Sequence, residues 1–200
     1  MSEFKKIKDR IVFFDEHNNA FPCAVKTDNG KILVFFRRSE VFDDGTHRHH
    51  TCDDAQILYI ESNNGGKTFD RNARPICGGD EHGGAGIPCV IKLSDGTIVL
   101  SVWFTLTEPQ NTAKKKLTAM NRTLADIRTS SEDKVTYVEG LYTYRSTDNG
   151  ETWEGPYLVA CANLWAGGPA AELPDGRILL PCYGKMKGSR SFGLYFFISN

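Results

Sequence analysis

The sequence predicts an all-β protein made of repeated four-stranded sheets, set side by side like the blades of a propeller. Two repeats carry this reading. The first is a turn of the form Ser-x-(Asp/Asn)-x-Gly-x-Thr-aromatic. It occurs at Ser62-Asn63-Asn64-Gly65-Gly66-Lys67-Thr68-Phe69 and at Ser146-Thr147-Asp148-Asn149-Gly150-Glu151-Thr152-Trp153, 84 residues apart. The Asp or Asn side chain tightens the turn by bonding backbone N–H groups, and Gly supplies a positive φ. Thr and the aromatic residue then open the next strand. The second repeat is an apolar strand, an Asn-Gly or Asp-Gly turn, and another apolar strand. It recurs three times, around Gly30, Gly96 and Gly176. Such dipeptides between apolar runs are strong hairpin signals.

In chain order, residues 9–15 (Asp-Arg-Ile-Val-Phe-Phe-Asp) read as a strand with no partner in its own unit. Blade one runs from about residue 18 to 78: a hairpin from Phe21 through Gly30 to Leu33, a third strand, the first box, and a fourth strand near 69–77. Blade two runs from about 84 to 161 and carries an insertion at about 107–136. In that insertion Leu117, Met120, Leu124 and Ile127 recur at helical spacing between polar stretches, which predicts a short amphipathic helix on a surface excursion. Blade three starts near 165, and Ser199-Asn200 match the first two positions of a third box.

Composition narrows the function classes. The 200 residues carry a net charge of −1, which argues against a nucleic-acid surface or a polybasic membrane patch. No run approaches the roughly 18 apolar residues of a membrane span. Met1-Ser2-Glu3-Phe4-Lys5-Lys6 lacks the apolar core of a signal peptide, so a cytoplasmic location is expected if that N-terminus is native. Cys23, Cys52, Cys77, Cys89, Cys161 and Cys182 include no Cys-x-x-Cys pair, so they read as small buried residues rather than as a metal or redox site. Neither a cofactor nor a metal is expected. Composition leaves the oligomeric state open.

The densest cluster of ionisable groups follows the second predicted strand, from Arg37-Arg38 through Asp43, Asp44, His47, Arg48, His49 and His50 to Asp53 and Asp54. Arginine grips a carboxylate bidentately, and an Asp of raised pKa acts as a general acid. Both types recur six apart, as Arg37 with Asp43 or Arg38 with Asp44.

The paired boxes, in register with the hairpin repeat, resemble the Asp-boxes of the sialidase (neuraminidase) superfamily. That resemblance implies a six-bladed β-propeller, of which this chain supplies about the first three blades. Phe21-Pro22, Arg38 (or Arg37) and Asp44 (or Asp43) are similar to the family's blade-one pattern, an Arg-Ile-Pro strand, a strand-end Arg and a catalytic Asp. Ala20 stands where that motif has its leading Arg. Gly167-Gly168-Pro169 through Leu173, followed by Asp175-Gly176-Arg177-Ile178-Leu179-Leu180-Pro181-Cys182-Tyr183, is similar to the third-blade pattern, with Glu172 where many members have Gln. The resemblance implies an exo-α-sialidase-type glycoside hydrolase acting on a terminal acidic sugar of a glycan or glycoconjugate. Asp44 or Asp43 would be catalytic, with Arg38, Arg37, Arg48, His49 and Glu172 contacting substrate. The family's nucleophilic Tyr comes from later blades. A related propeller glycosidase or lyase with another sugar, or a non-catalytic glycan-binding propeller, is the alternative.

Overall fold

The computed structural model describes residues 10–40, 52–123, 127–130, 133–185 and 191–200. They form three antiparallel sheets in a propeller-like arrangement. The first sheet has the order β1 (Asn18–Lys26), β2 (Ile32–Ser39), β3 (Gln56–Ser62), β4 (Arg74–Cys77). In the second, β7 (Ile98–Pro109) pairs with the short inner strands β5 (Gly84–Ala85) and β6 (Cys89–Lys92) on one side. On its other side lies β9 (Lys134–Ser146), followed by β10 (Glu154–Ala160). In the third, β11 (Asn163–Ala166) and β12 (Ala171–Glu172) both pair with β13 (Ile178–Lys185), and β14 (Gly193–Ile198) pairs with its far side.

The hairpin turns are copies in hydrogen bonding as well as in sequence. Thr27 N–H donates to Lys31 O at 2.9 Å, Leu93 N–H to Thr97 O at 2.8 Å, and Leu173 N–H to Arg177 O at 2.7 Å. In each, the turn glycine closes the loop with its own N–H on the Thr27, Leu93 or Leu173 carbonyl, at φ between 83° and 90°. The boxes repeat too. Ser62 Oγ accepts from Gly66 N–H and Ser146 Oγ from Gly150 N–H, both at 2.9 Å. Asn64 and Asp148 each accept from the N–H four residues on, Thr68 and Thr152, again at 2.9 Å.

Alternation along β7 packs the middle sheet on both faces. Leu100, Val102 and Phe104 meet Ile57 and Cys77 of the first sheet, with Ala85 of β5 beside them. Trp103, with Val138 and Leu141, meets Trp165, Leu180 and Cys182 of the third. The second box is part of the first joint. Trp153 stands edge-on to Phe35 at 5.7 Å, and Tyr59 Oη donates to Gly150 O at 2.8 Å. The glycines of the connection from β4 to β6 let backbones touch. A Cβ on Gly84 would lie 1.7 Å from Cys52 O.

Two expectations change. Residues 10–15 join no strand ladder; Phe13 instead covers the outer face of the first sheet, with its ring 4.9 Å from Phe36. In the excursion β7 and β9 extend as a long hairpin that carries α1 (Gln110–Ala119) and β8 (Ile127–Ser130), the latter paired with β9. The helix is thus shorter than the apolar spacing predicts: Ala113 and Leu117 are buried on Val135 and Tyr137, Met120 is the C-cap, and Ile127 already belongs to β8. On the outer face of the third sheet, Leu194, Phe196 and Ile198 are exposed.

Candidate functional site

Register gives each sheet two ends. β2 starts at Ile32 beside the hairpin turn and finishes at Ser39, a length of about 23 Å. Both boxes follow β3 or β9 at the turn end. At the other end of the first sheet His17, Arg38, Ser39, Glu40, Asp54, Gln56 and Gly79 line a hollow of about 280 Å³. That is near the lower bound of small-molecule sites.

Arg38 is set there by pairing with Asn19 on β1 and Gln56 on β3. Its Nε lies 3.0 Å from Asp15 Oδ2, and its Nη2 donates to His17 Nδ1 at 2.9 Å. Asp15 is itself held by the approach to β1. Its Oδ1 accepts from His17 N–H at 2.9 Å and from the Asn19 amide at 2.7 Å. Burial pushes the Asp15 carboxyl up, but the Asn19 and His17 hydrogen bonds and the Arg38 charge together bring it below its ordinary value. It is therefore an anion paired with Arg38 at neutral pH. Across the hollow, Asp54 Oδ2 accepts from Glu40 N–H at 2.7 Å, which ties the end of β2 to the start of β3.

The two adjacent arginines part company because strand side chains alternate. Arg38 points to the outer face, with Phe36, and its side chain is 29% exposed. Arg37 points to the second sheet and is 1% exposed. Its Nε donates to Ala85 O at 3.0 Å, Nη1 to Ser39 Oγ at 3.1 Å, and Nη2 to Cys52 Sγ at 2.7 Å. It fastens sheet to sheet rather than lining the hollow. Burial raises the Cys52 thiol, against the pull of the Arg37 charge, so Cys52 is a neutral partner.

Glu172 is not brought to this end. It pairs with Ile178 next to the third hairpin turn, and its carboxylate accepts from Ser94 N–H and Ser94 Oγ, both at 2.7 Å. This places it seven residues along β13 from the corresponding end, and it is not among the residues lining the hollow. Asp43, Asp44, Arg48 and His49 lie outside the described residues. Ala20 pairs with Arg37 beside a bulge in which Phe21 takes φ 56°. His82 rests on Phe104 and Tyr142, with ring centroids 5.8 and 5.6 Å away. Among the described residues no group of three metal-ligating side chains gathers, and no helix is long and apolar enough to cross a membrane.

Sequence reasoning missed Asp15, His17, Glu40 and Gln56. The first two had a signal: Asp15-Glu16-His17-Asn18-Asn19 places polar side chains two apart as the chain enters the first strand, the spacing of an Asx turn.

No protein-family model matches the chain, and no curated protein matches it. Solved structures do. A protein of unknown function from Dyadobacter fermentans DSM 18053 is similar over 98% of this chain and 55% of its own, with 23% identity and a TM-score of 0.77. The NanB sialidase from Streptococcus pneumoniae is similar over 94% of this chain and 46% of its own, with 10% identity and a TM-score of 0.55. Zg3597, a family 117 glycoside hydrolase from Zobellia galactanivorans, is similar over 96% and 56%, with 13% identity and a TM-score of 0.56. At these identities the likeness is one of fold, and this chain spans about half the length of each.

Proposed function

We propose that this chain supplies part of a propeller glycoside hydrolase, with the hollow at the end of β2 and β3 receiving one sugar of a glycan. The observation that carries the reading is the lining of that hollow. Arg38, Glu40, Asp54, Gln56, Ser39 and His17 converge on a space of about 280 Å³, and all of them can bond hydroxyl groups. Two named neighbours of the same fold, NanB and Zg3597, are glycoside hydrolases, which supports the class.

On this reading the three sheets are blades of a six-bladed ring. Asp44, or Asp43, from the segment between β2 and β3 acts as the general acid on the glycosidic oxygen. Arg38 orients the sugar. The narrower exo-α-sialidase form of the proposal asks Arg38, already paired with Asp15, to take up a substrate carboxylate.

Release of 4-methylumbelliferone from a panel of its glycosides, sialoside included, tests the reading. Hydrolysis by the protein that falls at least about a hundredfold in both Asp44→Ala and Arg38→Ala, with the circular dichroism spectrum kept, is the expected result. Hydrolysis that survives both substitutions would remove this site from the reaction. Absence of hydrolysis across the panel would leave a glycan-binding propeller.

A further inference from the structure

We propose that the hollow selects uncharged, polyhydroxylated sugars over acidic ones, and that Asp15 sets this preference by occupying Arg38. The proposal rests on the glycan reading above and narrows its substrate class.

Arg38 is the one lysine or arginine among the described residues lining the hollow. A carboxylate received side-on would use the Nε–Nη2 edge of its guanidinium. On that edge Nε lies 3.0 Å from Asp15 Oδ2, an ion pair in which Nε makes no hydrogen bond, and Nη2 donates to His17 Nδ1 at 2.9 Å. The arrangement is built into the backbone, because Asp15 is fixed by the His17 N–H and the Asn19 amide. A substrate carboxylate arriving on that edge competes with an anion already in place.

The surrounding charge acts in the same direction. Among the described residues lining the hollow, Glu40 and Asp54 bring two carboxylates, and the one guanidinium, that of Arg38, is already paired with Asp15. An acidic sugar therefore meets like charge and a cation already in use, whereas a neutral one meets acceptors for its hydroxyls.

The test begins with the protein on an array of neutral and acidic glycans. Titration calorimetry then compares matched sugars that differ in one carboxylate, such as galactose with galacturonate and glucose with glucuronate, together with methyl α-sialoside. The neutral member is expected to bind at least about tenfold more tightly. In Asp15→Asn, which keeps an oxygen for the His17 and Asn19 donors, the gap should close or reverse. Acidic sugars binding the native protein as well as neutral ones would overturn the preference and leave the glycan reading standing. A gap unchanged in Asp15→Asn would overturn the role of Asp15. No binding to any glycan by protein with a native melting transition would remove the glycan reading and this inference together.

Discussion

Arg37→Met separates the two roles an arginine can have at the end of β2. In the structure Arg37 is a buried cation that bonds Ala85 O, Ser39 Oγ and Cys52 Sγ at 3.0, 3.1 and 2.7 Å. Methionine keeps most of the apolar stem but offers no donor. The Ala85 carbonyl and the Ser39 hydroxyl then lose a charged partner in a dry joint between two sheets. Each such bond to a charged donor contributes about 1.5–3 kcal/mol, so the loss of two or three of them is expected to cost about 3–5 kcal/mol. For a chain of this length that lowers the melting temperature by roughly 10 °C. Urea unfolding followed by tryptophan fluorescence measures it. Trp103 and Trp153, in the joints of the second sheet, report on packing. Arg38→Met is the control: its pair with Asp15 is partly exposed, so stability changes by about 1 kcal/mol or less while sugar binding falls. If Arg37→Met stays within about 1 kcal/mol of the native protein and abolishes ligand binding, the assignment of the two arginines is wrong.

Gly84→Ala drives a Cβ to within 1.7 Å of Cys52 O, and its backbone cannot move without breaking the joint between the first two sheets. A loss of about 3 kcal/mol or failure to fold is expected, read by denaturant titration and soluble yield. Trp153→Ala removes the edge-on contacts to Phe35 and Tyr59 and should cost about 2–4 kcal/mol in the same titration. Asp148 is held down to about 2 by bonds from the Thr152 hydroxyl and N–H and from Ser146, against an ordinary value of 3.8. Its folded-state value is depressed, so its contribution is present above about pH 4 and is lost as pH falls from there towards 2. After solvent screening this amounts to about 1 kcal/mol. Asp148→Asn, which gives the second box the amide that Asn64 gives the first, should flatten that part of the stability–pH curve in urea titrations between pH 2 and 6.

The repeats were legible because their physics is local. A glycine at positive φ, an acceptor side chain two residues before it and an aromatic residue after it are enough to form a box, whatever surrounds it. The hairpins were legible for the same reason, down to the turn glycines Gly30, Gly96 and Gly176. The site was less so. Val34-Phe35-Phe36 are apolar on both faces of β2, so the alternation that assigns Arg37 to a joint and Arg38 to the hollow leaves no trace in hydrophobicity. Glu172 illustrates the opposite case. Its place in a motif was readable, but its distance from the hollow depends on how far β13 runs from the turn, and its bond to Ser94 joins two sheets 78 residues apart in the chain. Asp15 was hidden by the expectation of a strand at residues 9–15, where Phe13 gains more by covering Phe36 than a lone strand gains without a partner.

The boxes and hairpin turns lie at one end of the sheets, and the hollow lies at the other, about 23 Å away along β2. Register is therefore secured at the end of the sheets away from the hollow. The connection from β2 to β3 can be lengthened, recharged or exchanged for another without loosening one turn hydrogen bond. A library built in that connection while keeping Cys52 and Asp54, which bond Arg37 and Glu40, would vary the rim of the hollow on a frame held by the turns.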